Sequence, residues 1–276
     1  MATHHHISPV KTGTVALVAF GITYVALEYP AYALKISGAL LGGILPALFW
    51  LWFWLHEDKV HPEPKKIIFT AFFFGMIAVP LAIFLEKFYI GLAYPNLAEA
   101  VAFNVLTFGD FFSWAVIEEL LKYGMAFLAG IRSKYFDEPI DAVMYLISVA
   151  LGFAAAENAL FIFGAVKDLG VWGAFTTGNL RFIGASLLHV ASSSLLGFFI
   201  GFGLCKSRYV RALYIIEGLA VAFTLHAIFN YLIMVINERY LLDIFALLWC
   251  VMVIVIFLFE KIKRSPCYRV IGVQPQ

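Results

Sequence analysis

Eight stretches of this chain, roughly 12–28, 36–55, 67–85, 111–131, 140–165, 182–204, 212–236 and 240–260, are apolar almost without interruption. Runs of about 17–25 apolar residues match the hydrocarbon thickness of a bilayer when wound as α-helices. In that medium a backbone must satisfy its own hydrogen bonds, which leaves helices as the one solution for sequences of this kind. The chain of 276 residues is 63% hydrophobic and 13% charged, with a mean hydropathy of +0.90. Soluble domains are about half apolar. The fold class is therefore all-α, a polytopic membrane helix bundle of about eight transmembrane helices. Residues 1–276 form one integral membrane domain, with the functional core at about 111–236.

Charge asymmetry orients the bundle. Thirteen Lys and Arg fall on one side: Lys11, Lys59, Lys65, Lys66, Arg132, Lys134, Lys206, Arg208, Arg211, Lys261, Lys263, Arg264 and Arg269. Five fall on the other: Lys35, Lys87, Lys167, Arg181 and Arg239. The positive-inside rule then predicts both termini in the cytoplasm of a cell-membrane protein. A net charge of +1 and the lack of a basic run exclude a nucleic-acid partner. Cys205, Cys250 and Cys267 have no metal-ligand spacing and imply no disulfide framework.

Against this background the ionisable residues inside the apolar runs stand out. Glu118, Glu119 and Lys122 lie in 111–131, Glu157 in 140–165, His189 in 182–204, and His226 with Asn230 in 212–236. Each such group costs about 2.5–3.5 kcal/mol at the bilayer centre even on lenient scales, so chains keep them where they face one another. At about 1.5 Å per residue, Glu118, Glu157, His189, His226 and Asn230 all fall about 9–15 Å below the outer ends of their spans. Four helices of alternating direction thus bring polar groups to one level in the outer half of the membrane.

A glutamate there can act as general base toward water, a histidine can protonate a leaving amine, and an asparagine amide can hydrogen-bond an oxyanion. Two histidines with a glutamate are equally the ligand inventory of a catalytic zinc site. HExxH and GxSxG motifs are absent. Taken singly, the residues have structural readings. Glu118 or Glu119 with Lys122 makes an ion pair at i,i+4 or i,i+3 spacing, His189 and Asn158 are interhelical hydrogen-bonders, and Arg181 snorkels to the interface. Asp141 is read as a helix cap. The aromatic runs Phe49–Trp54 and Phe72–Phe74 are read as lipid-facing. A proton- or metal-coupled transporter needs the same residue types, but the four polar spans contain no proline and no repeat is visible.

Four ordered blocks resemble one family. Glu118-Glu119-Leu-Leu-Lys122 is similar to the EExxK motif of PrsW-type intramembrane proteases, and Gly152-Phe153-Ala154-Ala-Ala-Glu157-Asn158 resembles their GFAxxEN segment. His189, following Arg181 and preceding Gly197, resembles the third block, and His226-Ala-Ile-Phe-Asn230 the closing HxxxN. The loop from Asp58 to Pro64 is similar to their Pro-Glu-Pro connection. The resemblance implies membership of the wider CAAX-protease and bacteriocin-immunity superfamily. It also implies cleavage of a transmembrane protein substrate, of the kind of a single-span anti-sigma factor, at the outer face. A site open to the inner face would suit CAAX-type prenyl-protein cleavage instead.

On this reading Glu118 or Glu119 activates water and the other pairs with Lys122. Glu157 positions a histidine, His189 and His226 orient water or protonate the amine, and Asn230 holds the oxyanion, with Asn158 and Arg181 supporting. A metal-independent glutamate mechanism is favoured. If zinc is present, Glu157, His189 and His226 are its expected ligands.

Overall fold

The computed structural model describes residues 30–58, 61–94, 106–236 and 238–271. Its long helices are α1 (Pro30–Glu57), α2 (Lys65–Ala93), α3 (Phe108–Ala126), α4 (Asp141–Asp168), α5 (Gly170–Ile183), α6 (Ala185–Gly203), α7 (Arg208–Val235) and α8 (Leu241–Lys263). A short α9 (Cys267–Ile271) follows, and a π-helical turn at Phe127–Ile131 extends α3. No strand is present among the described residues. Among the described residues six segments are long and apolar enough to cross a membrane, with α5 and α6 counted as one. Seven of the eight expected runs are found in these helices. The first, 12–28, lies outside the described residues, as does most of 97–108, a segment whose sequence predicts a helix lying at the interface.

Helix α4 is the axis of the bundle. Every residue from Asp141 to Ala155 is buried, as befits a helix surrounded by others. Helices α1, α2, α5 and α6 pack around it, α3 lies between α2 and α7, and α8 closes against α6. The upper end of the bundle is where α2 finishes and α3 begins, and the lower end carries the α1–α2 and α6–α7 connections. The aromatic runs divide by helix face: Trp54 and Phe72 are buried while Phe49, Trp52 and Phe73 are exposed, so only half of each meets lipid.

Backbones touch where α2 crosses α4. A Cβ on Gly152 would lie 1.8 Å from the carbonyl oxygen of Phe72, and one on Gly75 would lie 2.0 Å from that of Val149. Small residues permit such approach between membrane helices. Gly152→Ala is therefore expected to destabilise the protein by about 1–3 kcal/mol, the usual range for overpacking. Gly164→Ala, whose Cβ meets nothing within 4 Å, should be neutral. Thermal melting of the two variants in one detergent checks this, and equal melting temperatures would remove the close-contact account.

At the lower end Tyr145 donates to Glu63 at 2.5 Å, pinning the Pro-Glu-Pro loop to α4. Burial pushes the Glu63 carboxyl up from its ordinary value, opposed by hydrogen bonds with Asp141 and Tyr145. Asp141 is not the N-cap of α4, which is Ile140. Its carboxylate accepts the backbone N–H groups of Asp137 and Glu138 and so holds the preceding turn. Cys205 and Cys267 form a disulfide across 62 residues, correcting the expectation of none. Docking of α9 under the end of α6 makes this pair, a proximity that residue spacing does not encode. Cys250 is free and exposed.

Candidate active site

Glu118 and Glu119 project from the buried face of α3, and both ion-pair with Lys122, at 3.3 and 2.9 Å. The two carboxylates have different surroundings. Glu119 is fully buried and saturated: its oxygens accept Lys122 Nζ, Ser192 Oγ at 2.8 Å, Ser193 Oγ at 3.1 Å and His226 Nδ1 at 2.8 Å. Glu118 is 7% exposed, and Lys122 is its sole hydrogen-bond partner among the described residues. Its Oε2 faces His226 Nε2 at 3.7 Å and His189 Nδ1 at 3.9 Å.

The hydrogen-bond network assigns the imidazole tautomers. His226 gives its Nδ1 proton to Glu119, and His189 gives its Nε2 proton to Glu157 Oε2 at 2.9 Å. Each ring therefore turns its other nitrogen, a lone pair, toward Glu118, and His189 Nδ1 accepts from Lys122 Nζ at 2.7 Å. The ring centroids are 5.2 Å apart. Phe153 closes the floor, with the Lys122 ammonium 4.4 Å from its ring centroid.

Glu157 is in turn held by Arg181 at 2.5 Å, and Arg181 Nε also donates to Asn158 at 2.6 Å. Asn158 donates to Ser186 at 2.9 Å. Arg181 thus does not snorkel to the interface; the half-buried Glu157 carboxylate one helix away recruits it inward. It can do so because most of 170–183, left between the expected runs 140–165 and 182–204, is helix α5, joined to α6 by a break at Gly184. Asn230 lies one turn from His226, is half-buried and makes no hydrogen bond among the described residues.

The structure thus gathers Glu118, Glu119, Lys122, Glu157, Asn158, Arg181, His189 and His226 into one network. Ser186, Ser192, Ser193 and Phe153 join it. The serines at i+3 and i+4 from His189 were the visible signal, since that spacing gives them the histidine's face.

One group of metal-like spacing occurs among the described residues. Ligand atoms of Glu118, His189 and His226 lie within 4.8 Å of one another. Glu157 stands behind His189 rather than in this group. Both histidines hold their N–H on a carboxylate, the arrangement that orients imidazole ligands toward zinc. The donor set therefore fits a zinc ion.

The sequence matches the family described as PrsW family intramembrane metalloprotease over residues 63–259. The chain belongs to the PrsW family. Protease PrsW of Geobacillus kaustophilus is 27% identical over 233 residues, covering 82% of this chain and 91% of that one. Protease PrsW of Bacillus subtilis is 28% identical, covering 75% and 88%, and that of Clostridioides difficile 26%, covering 70% and 77%. No solved structure matches the chain. PrsW membership makes this a multi-pass intramembrane protease acting in lipid on a membrane protein. The residues of all four motif blocks lie within the matched range.

Proposed function

We propose that this protease hydrolyses a peptide bond of a single-span membrane protein, of the anti-sigma-factor kind, near the outer face of the cell membrane. The observation that carries the reading is the convergence of Glu118 Oε2, His189 Nδ1 and His226 Nε2, each imidazole oriented by a carboxylate behind it. Positive-inside bias supports the orientation, with both termini cytoplasmic and the upper end outward.

Where no metal is bound, Glu118, the carboxylate not saturated by neighbours, takes the proton of the attacking water and passes it to the leaving amine. Glu119 fixes His226 and Glu157 fixes His189, so neither ring needs to reorganise during the reaction. The Asn230 amide donates to the oxyanion. Lys122 holds both carboxylates and closes the lower side of the chamber.

Glu118, His189 and His226 would hold a zinc ion, which when bound supplies Lewis-acid polarisation and a lowered pKa for water. This replaces the ligand set expected from sequence, because Glu157 stands behind His189 instead of beside it. A metal-free glutamate mechanism is the second reading, favoured by the Lys122 ammonium already placed 2.7 Å from His189 Nδ1.

Cleavage of a reconstituted single-span substrate should be abolished by a strong chelator and restored by zinc. Chelator-resistant cleavage would sink the zinc assignment and leave Glu118 acting alone. If no single-span substrate is cut under any metal condition, the proposed reaction is wrong.

A further inference from the structure

Proteolysis inside a bilayer faces a cost that the catalytic groups do not meet. A substrate helix must unwind to expose its scissile bond, and each freed N–H or C=O then costs several kcal/mol in hydrocarbon unless it finds a partner. Unused donors and acceptors beside the chamber are therefore informative.

Glu86 is one. It lies on α2 seven residues, about 10 Å, below the upper end of that helix, too deep for a short side chain to reach water along its own helix. It is half-buried and makes no hydrogen bond or ion pair among the described residues. It continues the stripe of Gly75, Val79 and Ala82 that packs inward. Neighbouring contacts bracket its place in the α2–α3 seam. Below it, Ala82 packs in a cluster with Ile117 and Phe153. Above it, Tyr89 donates to Asp110 at 2.9 Å. Phe153 is also the floor of the chamber, so Glu86, one turn above Ala82, stands at the chamber's edge.

The same level of α3, one turn above Glu118, carries Trp114. Its indole nitrogen is buried and has no hydrogen-bond partner among the described residues. Trp114 shares the α3 stripe of Asp110 and Ile117, both of which meet α2, so an unused acceptor on α2 and an unused donor on α3 lie at one level. A single peptide unit, with its N–H and C=O, needs that complement.

We propose that Glu86 and Trp114 dock an unwound peptide unit of the transmembrane substrate, Glu86 accepting its N–H and Trp114 donating to its C=O. The pair positions substrate and takes no part in bond breaking, and the inference rests on the proteolytic reading above. Four carboxylates at the chamber face two committed cations, Lys122 and Arg181. Among the described residues Glu86 is the carboxylate of the four that has no cation partner.

The test uses two labelled transmembrane peptides in nanodiscs, one of continuous Leu/Ala and one interrupted by a central Gly-Ser stretch that unwinds. Binding is measured in a Glu118→Gln background, and KM and kcat are measured with Glu118 intact. We expect the interrupted peptide to bind more tightly. Glu86→Leu and Trp114→Phe should each weaken that binding about tenfold, the scale of one buried hydrogen bond, and erase the preference between peptides. Glu86→Gln, which keeps an acceptor oxygen, should recover most of the loss. In cleavage the two lesions should raise KM and leave kcat within a few-fold.

Unchanged binding in Glu86→Leu overturns the proposal. So does equal weakening for both peptides, which marks a structural role, or a Gln variant as poor as Leu. A protein that cuts neither peptide yet shows the full binding pattern retains the dock while the proteolytic mechanism falls. Cleavage with unchanged KM in Glu86→Leu removes the dock alone.

Discussion

Glu118→Gln should lower substrate cleavage by about 10²–10⁴-fold, the usual contribution of a general base, while the protein melts as the parent does. The amide is isosteric and can still accept from Lys122, the one hydrogen bond Glu118 makes among the described residues. What disappears is a carboxylate oxygen facing two imidazole lone pairs at 3.7 and 3.9 Å. Glu119→Gln makes the contrasting experiment. That carboxylate accepts four side chains in a fully buried setting, so an amide there turns one acceptor into a donor facing other donors. Its main effect should be on stability, with loss of activity following the loss of folded protein. Rates and melting temperatures of both variants, measured in one preparation, check this. A Glu118→Gln protein retaining more than about a tenth of parental cleavage would lie outside the general-base range and remove the assignment.

Replacing Lys122 by Met should be the most destabilising single change in the chamber, on the order of 3–5 kcal/mol. The side chain is fully buried, and its ammonium is within 3.3 Å of both carboxylates. Removing one partner of a buried ion pair leaves the other charge uncompensated, and that penalty exceeds the worth of the pair itself. A second substitution tests this cause. Glu119→Gln added to Lys122→Met should recover part of the lost stability, because it removes one stranded charge; the non-additivity measures their coupling. Strictly additive losses would mean that packing, and not charge pairing, sets the cost.

The network explains how polar groups persist at this depth. Each buried charge in it touches an opposite charge or a hydrogen-bonding group: Lys122 meets Glu118 and Glu119, Arg181 meets Glu157, and the serines of α6 meet Glu119. Lipid competes equally for apolar side chains, so the helices that supply these polar groups are held in register by this network together with close packing at small residues such as Gly197 against Val143. Chamber and bundle thus stabilise each other, and Lys122 belongs to both.

Hydropathy is a property of local sequence, and it carried most of the fold. A run such as 140–165 has few alternatives to a spanning helix, because hydrocarbon leaves its backbone no other hydrogen-bond partner. The depths of Glu118, Glu157, His189 and His226 followed from counting residues along each run. Helix α5 was missed because Gly-Val-Trp-Gly-Ala-Phe-Thr-Thr-Gly-Asn mixes polar and small residues and reads as a connection. Glu86 was missed because α2 continues to Ala93, beyond the expected end at residue 85.

Depth says nothing of direction around a helix, nor of which helices are neighbours. Glu118 and Glu119 are adjacent in sequence, yet 100° of helical rotation sends one into a cage of four partners and leaves the other facing the chamber. His226 reaches Glu119 across 107 residues, and Arg181 turns inward to a carboxylate 24 residues away. Those pairings exist only after packing has chosen the faces. The sequence by itself determined that this chain spans a membrane and carries a polar site within it. The tertiary structure alone decided which glutamate is free, where each imidazole points its lone pair, and what stands beside them unused.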